Sequence, residues 1–325
     1  MIDSGGGMDG CVRGFFLNVY KPRRMTSTRA VATVKRAGRY SRVGHAGTLD
    51  PLAEGVLPIA VGRATRMIPH LHQLSKTYVA VAMCGVVTAT DDLEGAIVSS
   101  RSAYPSASRI REEISAMSGE ISQMPPAFSA VRVGGRRAYD LARRGAPPEL
   151  PERTVTVHSA RMLSVEYWDC DGLTSAGLGR FAGGAGGGGR LVFAFEIVCS
   201  TGTYVRSLVR DLGEKLGMGA CLAGLLRTRV GPFRVADAAH LWQVTHAIES
   251  GYVERIAHPP DEVALAMPGI VLGEERARRF GRGASIPAGG AEGPCRAYDV
   301  GGRFLGMGDA QSSGLVMPRL VMDPF

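Results

Sequence analysis

The chain has 325 residues, 45% of them hydrophobic, enough for one large domain and a small one around a real core. Its 38 lysines and arginines against 30 acids give a net charge of +8 and a pI near 9.4, which points to a polyanionic partner. Six cysteines at positions 11, 84, 170, 199, 221 and 295 include no C-x-x-C pair, so the pattern excludes a small disulfide framework and predicts reduced thiols.

In chain order, residues 1–13 are glycine-rich and aperiodic and predict a disordered leader, with structure starting near Gly14. The apolar stretch Phe15 to Val19 is too short for a signal-peptide core or a membrane span, which implies a cytoplasmic protein. Thr26 to Arg36 places Ala30, Val31 and Val34 at helical spacing, with Thr or Ser as N-cap and a basic opposite face. His70-Leu71-His72 has no further ligands at zinc spacing, so no metal is expected. Tyr78 to Val87 reads as a strand buried on both faces, Arg109 to Met117 as a short helix, and Val155 to Val165 as a strand.

Between those last two, Arg132, Arg136, Arg137, Arg143 and Arg144 face one acid, Asp140, beside Phe128 and Tyr139. Basic residues next to aromatics suit nucleic acid, and a solvated basic face is the plain alternative. Residues 171–190 hold nine glycines in twenty positions and predict a flexible insertion. Leu191 to Cys199 reads as a buried strand delivering Thr203-Tyr204-Val205-Arg206 at its end. A helix follows over Ser207 to Leu216, with a stripe of Leu208, Val209, Leu212 and Leu216 and Gly217 as C-cap. His258-Pro259-Pro260 marks a boundary between Ile256 and Met267, and Arg296 to Gly306 reads as a hairpin turning on Gly301-Gly302 within a small barrel.

One segment carries chemistry. In Gly44-His45-Ala46-Gly47-Thr48-Leu49-Asp50-Pro51-Leu52-Ala53-Glu54-Gly55-Val56-Leu57-Pro58, a single aspartate precedes a proline that biases it to extended backbone, among glycines that permit tight turns. Such a loop aims the Asp50 carboxylate, either at a substrate or at a turn or helix end that it caps.

These fifteen positions closely resemble the catalytic motif of the TruB family of tRNA pseudouridine synthases. Four further segments agree in order: Lys21-Pro22 with Thr26-Ser27, Lys76-Thr77-Tyr78, Gln123-Met124-Pro125-Pro126-Ala127-Phe128-Ser129-Ala130, and Cys199-Ser200-Thr201-Gly202-Thr203-Tyr204-Val205-Arg206 followed by Asp211-Leu212-Gly213. The resemblance spans about residues 14 to 233. It implies an α+β pseudouridine synthase fold, a mixed central sheet flanked by helices and loops over 14–256. A small β-rich, PUA-like RNA-binding domain over 265–325 would follow.

The implied activity is isomerisation of the T-loop uridine of tRNA, by convention position 55, with Asp50 as nucleophile and no cofactor or metal. His45, Tyr78, Tyr204 and Leu225 match substrate-binding positions, with His45 stacking where the target nucleotide leaves the T-loop. Arg206 matches the arginine that pairs with the catalytic aspartate; Lys21 and Asp92 match supporting positions. The arginines from Arg132 to Arg144 would clamp the T-arm of tRNA. The enzyme would act as a monomer, with no membrane and no required protein partner. Three positions depart from the pattern: Tyr20 before Lys21, Arg24 where the family has glycine, and Leu226 in place of an arginine, which leaves Arg227 or Arg229 for a phosphate contact. A non-catalytic RNA-binding or RNA-folding protein on the same scaffold and a guide-RNA-dependent synthase remain alternatives at this point.

Overall fold

The computed structural model describes residues 14–129, 131–146, 148–169 and 189–322. The expected leader, 1–13, and the glycine-rich segment apart from Gly189 and Arg190 lie outside the described residues. The chain divides into two compact units, one of residues 1–51, 55–73 and 230–325 and the other of 52–54 and 74–229.

The first unit opens on strand β1 (Phe15–Lys21), whose Phe16, Leu17 and Val19 are fully buried, so the apolar stretch seen in sequence is a core strand. Helix α1 (Ser27–Ala37) begins where the Thr26 side chain accepts from the Arg29 N–H at 3.2 Å, buries Ala30 and Val34, and puts Lys35 and Arg36 at the negative end of its dipole. Strand β2 (Val43–His45) pairs antiparallel with β3 (Ala53–Val61), His45 opposite Ile59, and β1 pairs antiparallel with β3.

The second unit begins with β4 (Lys76–Cys84). Burial on both faces was expected of it, but through Ala82 only every second residue is buried and the strand stops at Gly85, which takes φ +77°. One face is packed and the other half-covered, the usual strand alternation. Helix α2 (Ala107–Ser115) is capped by Ser106, and β5 (Gly119–Gln123) follows. The arginine-rich stretch forms a two-strand hairpin of β6 (Arg132–Val133) and β7 (Arg136–Arg137), then a short helix over Ala138–Ala142. Next come β8 (Arg153–Trp168), β9 (Arg190–Cys199), helix α3 (Val205–Lys215) and β10 (Ala220–Val230). The strands lie in the order β10-β4-β9-β8-β5.

Helix α3 starts two residues earlier than its apolar stripe predicts. It buries Val205, Arg206 and Ser207 besides Leu208, Val209 and Leu212, while Leu216 at its end is half-buried. Gly213 has a steric reason: a Cβ there would lie 2.2 Å from the Ala220 nitrogen, so the helix can cross the start of β10 only at a glycine.

Returning to the first unit, β11 (Ala239–His240) pairs parallel with β1, helix α4 (Leu241–Glu249) follows, and β12 (Ala257–His258) pairs antiparallel with β1. The sheet is therefore mixed, as expected of the α+β class. A five-stranded sheet completes the chain: β13 (Gly269–Leu272), helix α5 (Glu274–Gly281), β14 (Ile286–Pro287), β15 (Gly293–Asp299), β16 (Phe304–Ala310) and β17 (Leu315–Val321), in the order β13-β15-β16-β17-β14. Its core joins Leu272, Phe280, Cys295, Leu305 and Val316. The predicted hairpin turns at Gly301-Gly302, with Gly302 N–H donating to the Asp299 carbonyl at 3.0 Å. Among the described residues no helix is long and apolar enough to cross a membrane.

Candidate active site

In the first unit, Asp50 lies in an irregular loop pinned on both sides. The Leu49 N–H donates to Ser27 Oγ at 2.8 Å and Ser27 Oγ donates to the Leu49 carbonyl at 3.0 Å, both buried; the Arg24 N–H donates to the Pro51 carbonyl at 2.7 Å. The backbone on either side of the carboxylate is thus fixed before any ligand arrives, while Asp50 itself is only half-buried. Lys21 is fully buried, and its Nζ donates to the carbonyls of Pro22 at 2.9 Å and Met25 at 2.7 Å, closing the turn that leads into α1. Within that turn Arg24 holds φ +61°. The glycine expected there is replaced by a side chain forced into the left-handed region, which it adopts at a cost. His45 ends β2, half-buried.

In the second unit, Tyr78 is 9% exposed on the packed face of β4. Strands β4 and β10 are neighbours: Thr228 Oγ1 donates to the Thr77 carbonyl at 3.3 Å, and a Cβ on Gly224 would touch Val81 at 3.7 Å. Leu225 lies half-buried on β10. Tyr204 caps α3 and is held by Gln123, whose side chain is fully buried: the Tyr204 N–H donates to Oε1 at 2.8 Å and Nε2 donates to the Tyr204 carbonyl at 3.1 Å. The Arg153 guanidinium lies 5.5 Å over the Tyr204 ring.

Arg206 and Asp92 are both buried, with Arg206 Nη1 3.7 Å from Asp92 Oδ2. Arg206 also donates to the carbonyls of Thr90 at 3.2 Å and Phe128 at 3.0 Å. The Asp92 carboxylate accepts from Thr90 Oγ1 and, at 3.0 Å, from the Glu94 N–H. Asp92 is thus one carboxylate set opposite Arg206, and a paired, hydrogen-bonded guanidinium keeps one orientation. One turn along α3, Arg210 donates to Asp91 Oδ2 at 3.2 Å; burial pushes the Asp91 carboxyl above its ordinary range against the pull of Arg210 and Arg206.

Lys76 begins β4 beside Cys199 of β9. Burial pushes its ammonium down to about 8, the Arg227 guanidinium adds to the fall, and Cys199 opposes it. Arg227 is 1% exposed. Of the two arginines left for a phosphate contact, Arg227 is thus turned into the packed face and Arg229 is exposed. Arg132, Arg136, Arg143 and Arg144 are all exposed, and Arg143 lies 5.6 Å over the Tyr139 ring. Arg137 pairs with Arg132 in the β6–β7 hairpin.

Sequence reasoning missed Ser27, Gln123 and Arg153 as holders of the functional segments. Ser27 and Gln123 sit inside matched motifs, but nothing local says which distant backbone they bind. Arg210 and Asp91 were also missed, although Arg210 follows Arg206 at the i, i+4 spacing of one helix face.

The chain resembles known proteins along nearly all of its length. A family model described as TruB family pseudouridylate synthase (N terminal domain) matches residues 35–205; tRNA pseudouridylate synthase B C-terminal domain matches 206–263; and Pseudouridine synthase II TruB, C-terminal, matches 268–322. The tRNA pseudouridine synthase B of Acaryochloris marina (strain MBIC 11017) is 40% identical over 308 residues, 94% of this chain and 98% of its own. That of Clostridium kluyveri (strain ATCC 8527 / DSM 555 / NBRC 12016 / NCIMB 10680 / K1) is 34% identical over 298 residues, 90% of this chain and 94% of its own. A chain in the crystal structure of a Cbf5-Nop10-Gar1 complex matches with TM-score 0.69 at 24% identity, over 95% of this chain and 85% of that one, a likeness of fold.

Proposed function

The chain belongs to the TruB family of pseudouridylate synthases and is an RNA pseudouridine synthase, and from that premise we propose that it acts alone on tRNA, isomerising the T-loop uridine at position 55. The isomerisation breaks the N1–C1′ bond, turns the uracil and joins C5 to C1′. It needs a carboxylate in a fixed place and a pocket that holds the detached base. Asp50 supplies the reacting carboxylate in this reading, as a nucleophile at ribose C1′ or uracil C6 or as the base that takes the C2′ proton on a glycal route. Tyr78 stacks on the base and assists proton removal from C5, Tyr204 and Leu225 line the pocket, and His45 fills the place the base leaves. Arg206, held by Asp92, orients the catalytic carboxylate, and Lys21 secures the turn beside it. The arginines from Arg132 to Arg144 and the PUA-like segment 265–325 hold the RNA. The protein is read as a cytoplasmic monomer.

The observation that carries this reading is the double clamp of Ser27 on Leu49, which immobilises the residue before Asp50. A carboxylate whose backbone is pre-set loses little freedom in reaching reactive geometry.

The test incubates pure protein with unmodified tRNA transcript and maps pseudouridine by carbodiimide reactivity. One T-loop modification without added guide RNA or protein is expected. Asp50→Asn should bind the transcript and form no product in a single turnover. Activity of that variant within about tenfold of the parent would remove Asp50 from the mechanism, and dependence on a guide RNA would overturn stand-alone action.

A further inference from the structure

Helix α3 presents two arginines one turn apart, Arg206 and Arg210, to two consecutive carboxylates, Asp92 and Asp91. Consecutive side chains in an extended segment point to opposite sides. Here Asp91 takes φ +59°, a left-handed conformation in a residue with a side chain, and both carboxylates meet the same helix. The same loop is tied to β10, with the Leu222 N–H donating to the Asp91 carbonyl at 3.0 Å and the Leu93 N–H to the Leu222 carbonyl at 3.1 Å. The two arginines also grip one segment leading to the arginine-rich hairpin. Arg210 Nη2 donates to the Met124 carbonyl at 3.0 Å, which Ser207 Oγ also reaches at 2.8 Å, and Arg206 Nη2 donates to the Phe128 carbonyl. Asp211, half-exposed, shares Arg210 through Nε at 2.9 Å.

We propose that Arg210 and Asp91 are positioning residues for the pseudouridylation reaction: their pair sets the turn that places Asp92, and through Asp92 fixes the Arg206 guanidinium. The inference rests on the assignment of Arg206 to the active site. A like-charged pair at i, i+4 on a helix repels, and two adjacent carboxylates do the same. The Asp91–Arg210 pair ties the turn that carries Asp92 to α3, so losing either partner frees that turn and loosens the inner pair. The outer pair is more exposed, at 22% and 16%, than the inner pair at 6% and 6%, so it touches solvent while acting on a buried group.

Asp91→Asn and Arg210→Met test this, with Arg210→Lys as the variant that keeps the charge. Single-turnover rates at saturating protein should fall about ten- to a hundredfold for the first two, since a small misplacement of a catalytic group costs that much. RNA affinity should stay within about twofold, and Arg210→Lys should recover part of the rate. In an Arg206→Lys background, Arg210→Met should cost much less than in the parent, because it acts through Arg206. Unfolding midpoints measured alongside keep every assay below the transition, and near-isosteric Asp91→Asn decides the matter if Arg210→Met does not fold. Full-rate turnover by Asp91→Asn, or equal losses in both backgrounds, overturns the inference. If Asp50→Asn is inactive while Asp91→Asn runs at full rate, this inference alone falls. If Asp50→Asn is active, the reading of the site falls with it.

Discussion

Arg24 shows how a single residue records a compromise. Its backbone stands at φ +61° in the turn before α1, its N–H holds the Pro51 carbonyl, and its side chain is exposed, so nothing in its burial requires an arginine. The left-handed conformation costs an L-residue about 1–2 kcal/mol, partly offset because glycine loses more entropy on folding. Arg24→Gly should therefore stabilise the chain by about 0.5–1 kcal/mol, seen as a higher urea midpoint with unchanged slope. A lower midpoint would mean that the guanidinium contributes more than the backbone loses. The sequence flagged this position as a departure, because the turn chemistry is local. The burial of Arg227 was hidden, because only the pairing of β10 with β4 decides which face each residue of β10 joins.

At the scale of elements, the β6–β7 hairpin and the turn after the short helix carry the exposed arginines. Their cluster was visible in sequence because charge density needs no tertiary information. Hairpin geometry follows from Gly134 and Gly135, both at positive φ, between strands in which Arg132 faces Arg137. If these side chains neutralise RNA phosphates, Arg136→Ala with Arg144→Ala should weaken tRNA binding. The log–log salt dependence should become shallower by about one unit per lost contact, while the single-turnover rate at saturation stays as it was. A binding series across salt checks both. An unchanged slope would make this a solvated face. Helix α3 was legible through its Leu208, Val209 and Leu212 stripe, but its first turn was not, since buried Arg206 and Ser207 break the apolar pattern and are satisfied by carbonyls far away in sequence.

For the molecule as a whole, buried thiols and a buried ammonium act in opposite directions on alkaline stability. The described cysteines, Cys84, Cys199, Cys221 and Cys295, are all buried. Burial raises both Cys84 and Cys199 from 9.0 to about 11. The folded state then holds more thiol protons than the unfolded state between those values, so the contribution is intact below pH 9 and is lost as pH rises through 11. Lys76 works the other way: with its ammonium at about 8 in the fold against 10.5, the unfolded chain binds the extra proton and stability rises with pH between the two. A Cys84→Ala, Cys199→Ala variant should differ from the parent by a constant packing penalty below pH 9 and close that gap between pH 9 and 11. Urea midpoints across this range decide it, and a gap that stays constant would show that the thiols do not titrate with unfolding.

By itself the sequence determined what depends on neighbours along the chain. The proline- and glycine-framed loop around Asp50, the capped helix α1, the Gly-Gly hairpin near the end and the basic stretch are set by backbone preference and charge within a few residues. Tertiary structure alone decided the partners: Ser27 for Leu49, Gln123 for Tyr204, Asp92 for Arg206 and Asp91 for Arg210. The reason is physical. A buried polar group must be satisfied, but many distant donors and acceptors could satisfy it, and packing of whole elements selects which one arrives.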